Sequence, residues 1–255
     1  MTVTDDLGRK MDIPANPVRV ISLVPSITET VAVIGKEDVL AGVTRFCIHP
    51  PQIRKKVAVV GGTKNLDAGL IRKIQPGLIL SEKSENNKKQ ILDLANEFPV
   101  YVFDITNFDA GLRLIEVCGK LFSAPAAFRL INKIKQSFAK MEAVEPLKKA
   151  VYLIWKKPWM AAGKNTFIGS MMQKAGFESV VRKDYPVIDD EIINKADVIM
   201  LSSEPYPFTE RDVGKLREKF RKKTVMLVDG EMFAWYGARM LKAAEYFLTL
   251  NPKRT

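Results

Sequence analysis

The segment from residue 19 to residue 30 constrains the fold of this chain more than any other. An apolar run over residues 20–24 ends at Pro25, and a helix start follows immediately. Ser26 and Glu29 have the spacing of a capping box, in which each side chain bonds the backbone N–H of the other residue. The segment is therefore predicted to be a strand, a tight turn and a helix N-terminus, which is the edge where open α/β sheets bind ligands.

Strand-like and helical patterns alternate along both halves of the chain. In the first half, strand-like runs at residues 19–24, 40–44, 78–81 and 100–105 alternate with helical patterns at 27–34, 68–74 and 87–97. In the second half, the candidate strands are 150–155, 197–202 and 224–228, and the candidate helices are 166–175, 189–195, 210–220 and 235–250. Such alternation predicts parallel strand pairing and hence the α/β class.

A long helical stripe separates the two halves. Its apolar residues recur at alternating intervals of four and three positions, at Ala127, Ile131, Ile134, Phe138 and Met141. This spacing predicts one continuous helix of roughly 30 Å. We therefore predict an N-terminal α/β lobe over residues 1–122, a backbone helix over 123–146 and a C-terminal α/β lobe over 147–255. Two Rossmann-like lobes with mainly parallel sheets would then be held at a fixed separation, with a ligand cleft between them. The alternative is an ordinary helix inside one large sheet.

The formal net charge of +11 raises the question of nucleic-acid binding. The lysines and arginines are spread along the chain in small groups, without a basic stripe interleaved with aromatic residues, so a solvated basic surface is favoured. An anionic ligand or an anionic lipid surface is the alternative. The two cysteines, Cys47 and Cys118, lie far apart and are predicted to be buried thiols rather than a disulfide or a zinc site.

The start of the chain bears on where the protein works. The first ten residues are polar and contain no apolar segment of the kind found in signal peptides. The sequence therefore predicts a cytoplasmic protein if Met1 is the native start. The alternative is a periplasmic protein from which a leader was removed.

The motifs of common enzymes are missing. The single histidine, His49, cannot build a two-histidine metal site, and neither a nucleophile elbow nor a dinucleotide-binding glycine motif occurs. The run at residues 163–166 resembles a phosphate loop but lacks its first glycine, and Asn165 is interpreted as a helix N-cap. Asp189 and Asp190 are interpreted as residues of a capped helix start. The residues therefore predict no catalytic site and no required cofactor.

Aromatic residues concentrate in predicted loops of the second half. Trp155 closes a strand, Trp159 follows in a proline-containing loop, and Tyr185, Trp235 and Tyr236 lie in later loops. Core packing is the alternative for the tryptophans, and for Trp155 the two interpretations are evenly balanced. Trp159 and Trp235 stand beside Pro, Gly or Lys and are expected to be exposed. Exposed aromatic residues at the ends of strands favour a broad, flat, apolar ligand.

These segments resemble, almost end to end, one family: the vitamin B12 (corrinoid)-binding branch of the ABC-transporter periplasmic substrate-binding proteins, within the helical-backbone metal-receptor superfamily. The similar segments are residues 3–9, 19–30, 42–51, 60–63, 71–80, 153–160, 201–208 and 229–239. The last three are long and specific to the second lobe.

The resemblance implies a non-enzymatic, monomeric protein that clamps cobalamin or a related corrinoid between two lobes and delivers it to an ABC permease–ATPase complex. By position in the family's motifs, the ligand-binding residues are Phe46, Trp155, Trp159, Tyr185, Glu231, Trp235 and Tyr236. The resemblance also implies that Glu85 and Glu204 dock onto permease arginines. Glu82 stands where family members can carry an aromatic residue, which predicts weaker stacking on the first lobe.

Two other functions remain open from the sequence. One is a haem or iron–siderophore binding protein of the same fold, because the charge of +11 would suit an anionic siderophore. The other is a cytosolic carrier or enzyme that acts on corrinoids, which the polar start of the chain would suit.

Overall fold

The computed structural model describes residues 1–141 and 146–250, and its contacts divide the chain into two compact units. Unit 1 consists of Met1–Ile105, Asp109–Lys133 and Tyr236–Arg239. Unit 2 consists of the described residues of Thr106–Phe108, Ile134–Trp235 and Met240–Thr255. The short segment Tyr236–Arg239 thus belongs to unit 1, although it lies within the predicted C-terminal lobe. The predicted boundaries after residues 122 and 146 stay predictions.

Unit 1 is built on a five-stranded parallel sheet. Its strands are β3 (Val20–Ser22), β4 (Leu40–Val43), β5 (Ala58–Val59), β6 (Leu78–Glu82) and β7 (Val100–Phe103), in the order β5-β4-β3-β6-β7. A separate antiparallel pair, β1 (Thr2–Thr4) and β2 (Lys10–Asp12), precedes them. The central strands are buried on both faces, as expected of a parallel sheet covered by helices.

The helices between these strands are short. They are α1 (Pro25–Val33), α2 (Ile53–Lys56), α3 (Ala68–Ile74) and α4 (Lys88–Ala95). Asp67 and Asn87 cap α3 and α4 by accepting from the backbone N–H groups of Leu70 and Gln90. Two longer helices follow, α5 (Phe108–Leu121) and α6 (Ala126–Ala139), and the residues of each are divided between the units.

Unit 2 contains a second mainly parallel sheet. Its strands are β8 (Lys148–Trp155), β9 (Met160–Ala162), β10 (Phe177–Ser179), β11 (Val198–Ser202) and β12 (Thr224–Val228). The order is β10-β8-β11-β12, and β9 pairs antiparallel with the end of β8. The helices are α7 (Phe167–Lys174), α8 (Asp190–Asn194), α9 (Glu210–Lys219), α10 (Gly230–Ala234) and α11 (Met240–Leu250). The predicted α/β class with two lobes and mainly parallel sheets is confirmed.

The predicted capping box at Ser26 and Glu29 is wrong. Helix α1 begins at Pro25, with Val24 at the N-cap and no side-chain cap. Proline suits the first helical position because its missing N–H would have no partner there. Ser26 therefore lies inside the first turn, and the Glu29 carboxylate bonds the Arg239 guanidinium instead.

Other helix boundaries also differ from prediction. The N-cap of α7 is Thr166, not Asn165, because the Thr166 hydroxyl accepts from the N–H of Gly169. Asp189 caps α8 as predicted. The predicted helix over 235–250 is interrupted at Gly237, which has a φ of 73° and opens a short 3-10 turn before α11.

The predicted backbone helix over 123–146 is shorter than expected. Helix α6 has 14 residues, begins at Ala126 and ends at Ala139. Ser123 takes a left-handed φ of 49°, which prevents the helix from starting there. Residues 142–145 of the prediction lie outside the described part of the chain. Within unit 2, Phe138 of α6 packs edge-on against Phe108 and Phe247.

Candidate functional site

The sheet of unit 2 has a topological switch point between β8 and β11. The chain leaves β8 toward β9 and β10 on one side, and later returns to β11 and β12 on the other. Ligands of open α/β sheets bind outside the carboxyl ends of strands at such a point. Trp155 is the last residue of β8, and Glu204 and Tyr206 follow the end of β11. The predicted aromatic edge therefore lies at the position where this topology favours a ligand.

A packed aromatic cluster supports this edge. The Trp155 ring meets Tyr206 edge-on at 5.5 Å, and Tyr206 lies 4.6 Å from Phe208. Trp159 stacks on Phe208 at 6.1 Å with an interplanar angle of 18°. Phe208 is buried in the core of unit 2, while 41% of Trp155 is exposed. The exposed indole of Trp155 is thus held in place by aromatic side chains that pack into the core of unit 2.

Tyr185 lies in a segment that is bonded to the same hairpin. Trp159 occupies the turn between β8 and β9, and its carbonyl accepts from Ile188 N–H at 2.9 Å. The Ala161 N–H donates to the Pro186 carbonyl at 3.2 Å. Tyr185 itself is 44% exposed. One hairpin and its hydrogen-bonded neighbour therefore position three of the predicted ligand-binding residues.

The prediction that Trp235 is exposed is wrong. Only 7% of Trp235 is accessible, and its indole N–H donates to Glu204 Oε1 at 2.8 Å. Asp229 caps α10 by accepting from Glu231 N–H, and Trp235 is the C-cap of that short helix. This geometry turns the indole inward toward the loop after β11.

The other predicted site residues, Glu231, Glu204 and Tyr236, differ in their burial. Glu231 is half-buried in the first turn of α10. Glu204 is half-buried and accepts the indole bond of Trp235, while Tyr236 is buried and belongs to unit 1. The ligand-binding roles of Trp235, Tyr236 and Glu231, and the docking role of Glu204, stay predictions.

In unit 1, Phe46 projects from a turn at the carboxyl end of β4. The turn runs from Thr44 to Cys47, and 52% of Phe46 is exposed. Cys47 is buried, with its thiol 3.1 Å from the Thr28 hydroxyl and 3.3 Å from the Thr44 hydroxyl. Thr28 also donates to Ser22 Oγ at 2.8 Å. A buried polar cluster therefore anchors the turn that displays Phe46.

Glu82 has a structural role at the end of β6. Its buried carboxylate accepts from the backbone N–H groups of Ser84 at 2.7 Å, Glu85 at 2.8 Å and Ile105 at 3.3 Å. Asn86 extends this network by donating to the Thr63 carbonyl at 3.0 Å. Glu82 therefore shapes the loop instead of offering an aromatic surface. Glu85 is exposed on this loop, and its docking role stays a prediction.

Several residues at these edges were missed in the sequence. Tyr206 and Phe208 pack against Trp155 and Trp159. They lie in a Pro-Tyr-Pro-Phe run that follows a predicted strand, and this run could have indicated an aromatic loop. The buried carboxylate of Glu82 and the amide of Asn86 were also missed, because each has a partner on a distant segment, the Ile105 N–H and the Thr63 carbonyl.

The thiols do not form a nucleophilic centre. Burial raises the pKa of the Cys47 thiol, which outweighs its hydrogen bonds to Thr28 and Thr44 and the charge of Arg54. Burial raises the pKa of Cys118 to about 12. Both thiols are therefore protonated at neutral pH, as expected of structural cysteines.

Two kinds of feature do not occur in the described part of the chain. Residues 1–141 and 146–250 hold no group of three or more His, Cys, Asp or Glu side chains placed to bind a metal ion. In the same described ranges, none of the helices combines the length and apolar character that a bilayer span requires.

The sequence matches the model of one protein family, described as periplasmic binding protein, over residues 20–225. A vitamin B12-binding protein of Photorhabdus laumondii is 26% identical over 247 residues, which cover 91% of this chain and 86% of the relative. A cobalamin-binding protein of Halobacterium salinarum is 24% identical over 77% of this chain. The chain spans only 56% of that relative's length.

Solved structures share the fold at low sequence identity. The periplasmic vitamin B12 binding protein of Vibrio cholerae superposes with a TM-score of 0.74 and 19% identity, covering 92% of this chain and 97% of that one. The periplasmic haem binding protein of the same organism gives a TM-score of 0.76 and 17% identity, covering 91% and 98%. The names of these proteins describe binding proteins rather than enzymes.

Proposed function

Because the chain belongs to the periplasmic binding protein family, whose model matches residues 20–225, we propose that it binds cobalamin or a related corrinoid for uptake by an ABC transporter. Two relatives are named for binding vitamin B12 or cobalamin. Their names support a corrinoid as ligand of this chain, and the family supports a role in delivery rather than in catalysis.

The exposed indole of Trp155 at the switch point of unit 2 carries the proposal. Trp155 packs against Tyr206, which in turn packs against Phe208, so little conformational entropy is lost when a ligand covers the indole. Covering roughly 80–100 Å² of apolar surface contributes about 2 kcal/mol to binding. A broad, mostly apolar ring with polar edges, such as a corrin, suits this surface, and Tyr185 supplies a second exposed aromatic side chain in the same unit.

Isothermal titration calorimetry with cyanocobalamin and with dicyanocobinamide tests the proposal. We expect binding of at least one corrinoid in the micromolar range or tighter. Trp155→Ala is the test variant and Phe128→Ala is its control. Phe128 is a similarly exposed aromatic residue on α6, outside the predicted site. No heat of binding for either corrinoid below millimolar concentration would overturn the proposal.

A haem or iron–siderophore ligand is the second candidate. The fold is shared with haem binding proteins, as the TM-score of 0.76 shows, and the net charge of +11 favours anionic ligands. Addition of haem to the purified protein tests this candidate. A Soret band that shifts and saturates at one equivalent, together with no corrinoid binding, would favour haem.

The partner and the place of action belong to the same proposal. Delivery to a permease–ATPase requires the protein to act outside the cytoplasmic membrane, with Glu85 and Glu204 as the proposed docking residues. Fractionation of the native host tests this location. Recovery in the cytoplasmic fraction would favour an intracellular corrinoid carrier.

A further inference from the structure

The turn that displays Phe46 displays a second exposed residue, Arg45. The turn closes by a hydrogen bond from Cys47 N–H to the Thr44 carbonyl at 3.1 Å. The side chains at its two ends, Thr44 and Cys47, are fully buried. The two central residues, Arg45 and Phe46, are both exposed. A cation and an aromatic ring are therefore presented side by side.

Backbone contacts from two other segments fix this pair. The Arg45 N–H donates to the Gly61 carbonyl at 2.8 Å, and the Arg54 guanidinium donates to the Arg45 carbonyl at 2.9 Å. Both side chains lie over Gly62: a Cβ placed there would be 3.2 Å from Phe46 Cε2 and 3.5 Å from Arg45 Nε. The side chains of Arg45 and Phe46 thus pack over the backbone of Gly62, and this contact preorganises them for binding.

The Arg45 guanidinium is available to a ligand. Among the described residues, its side chain has no hydrogen bond and no carboxylate partner within 4 Å. Two acidic groups at the carboxyl ends of β6 and β7, in the same sheet, are engaged elsewhere. Glu82 is buried and bonds backbone N–H groups of its own loop, and Asp104 pairs with Lys83 at 2.6 Å. The exposed guanidinium of Arg45, which has no carboxylate partner among the described residues, therefore favours an anion.

We propose that Arg45 is a specificity-determining residue that binds an anionic group on the arm of a flat ligand whose face rests on Phe46. The inference rests on the proposed function for the flat ligand and adds the charge of its arm. The planar guanidinium offers paired donors that match two oxygens of a phosphate or a carboxylate. In cobalamin this group is the phosphodiester of the nucleotide loop; in haem it is a propionate.

Comparison of cyanocobalamin with dicyanocobinamide, which lacks the phosphodiester, tests the inference. We expect Arg45→Gln to lower cobalamin affinity by about 5- to 20-fold, as for loss of one charged hydrogen-bonding pair. Cobinamide affinity should change by less than twofold. Phe46→Ala should weaken both corrinoids alike. The charge-matched control is Lys73→Gln, which removes one exposed cation near the C-terminus of α3 and should change neither affinity.

The outcomes separate this inference from the proposed function. Equal loss of both corrinoids in Arg45→Gln, or loss of neither, would overturn the inference while corrinoid binding stands. If the wild type binds haem and no corrinoid, haem and its dimethyl ester replace the two corrinoids, and a selective loss of the free acid in Arg45→Gln supports the inference. A wild type that binds neither corrinoid nor haem overturns both proposals.

Discussion

At the scale of single residues, the two tryptophans Trp155 and Trp235 have opposite environments. Trp155 is 41% exposed and Trp235 is 7% exposed. Trp155 lies between Ile154 and Lys156, and Trp235 lies between Ala234 and Tyr236. Neither pair of neighbours determines whether the indole is buried. Burial of Trp235 depends on Glu204, which lies 31 positions away and accepts its indole N–H. Such a distant partner cannot be recognised from one sequence.

This contrast leads to a prediction about two alanine variants. We expect Trp155→Ala to weaken corrinoid binding about tenfold with little change in stability, because the indole is a surface contact. We expect Trp235→Ala to lower the free energy of unfolding by about 3–5 kcal/mol, because it leaves a cavity and removes the hydrogen bond from the indole to Glu204. Urea unfolding and calorimetry measure the two effects. Equal stability of both variants would contradict the assignment.

The thiols give a prediction about reactivity. Burial raises the pKa of Cys47 and raises that of Cys118 to about 12 from an ordinary 9.0. We expect neither thiol to react with an aromatic disulfide reagent at pH 8 in the native protein, and both to react in denaturant. Rapid reaction of one thiol in the native state would contradict the burial of that residue.

The raised pKa of Cys118 also predicts a pH dependence of stability. Below pH 9 the thiol is protonated in both states, so its contribution to stability is fully present. Between pH 9 and 12 the unfolded state loses the proton first, and the contribution is lost. Over this range, the free energy of unfolding of the wild type should fall by up to about 1.4 kcal/mol per pH unit more than that of Cys118→Val. Urea unfolding at pH 8 to 10.5 measures the difference, and identical slopes would contradict it.

At the scale of helices and strands, the sequence predicted those elements whose signals are local. The observed bounds of α3, Ala68–Ile74, and of β12, Thr224–Val228, coincide with the predicted ranges. Helix α5, Phe108–Leu121, was missed although its buried apolar residues recur at helical spacing. The cap of α1 was predicted wrongly because Pro25 starts the helix two residues earlier than the capping pattern suggested.

The break at Gly237 provides a prediction at this scale. Gly237 has a φ of 73°, and an added Cβ would lie 2.2 Å from Thr30 Oγ1. Gly237→Ala should therefore destabilise the protein by several kcal/mol, about 1–2 of them from the left-handed backbone alone. The control is Gly214→Ala in α9, where an added Cβ meets nothing within 4 Å and should stabilise by about 0.5–1 kcal/mol. Denaturant unfolding of both variants decides the matter, and a neutral Gly237→Ala would contradict the packing described.

At the scale of the whole molecule, the class of the fold could be predicted because alternating strands and helices leave few topologies. The aromatic edge of unit 2 could be predicted in outline, since Trp155 and Trp159 stand at a strand end and a turn. The assignment of Tyr236–Arg239 to unit 1 could not, because it depends on partners about 200 positions away. The Ala238 N–H donates to Thr30 Oγ1 at 3.0 Å, and Arg239 pairs with Glu29.

This long-range insertion predicts that the first half of the chain will not fold normally alone. A fragment ending at residue 141 keeps the whole parallel sheet of unit 1 but lacks the segment that covers α1. Glu29 and Thr30, which are almost fully buried in the intact chain, would lose their bonds to Arg239 and Ala238. We therefore expect weak, non-cooperative thermal unfolding of the fragment by circular dichroism.

A full-length variant separates this cause from the mere shortening of the chain. In the intact protein, Glu29→Gln removes the charge of one member of the buried Glu29–Arg239 pair, which should cost about 3–5 kcal/mol. The comparison is Glu37→Gln, because Glu37 pairs with Lys56 at 2.6 Å on the surface and its loss should cost less than about 1 kcal/mol. If Glu29→Gln is as stable as Glu37→Gln and the fragment unfolds cooperatively, the segment is not a structural part of unit 1. If instead Glu29→Gln is destabilised but the fragment unfolds cooperatively, α1 folds without the Tyr236–Arg239 segment. The Glu29–Arg239 pair then stabilises only its own surroundings.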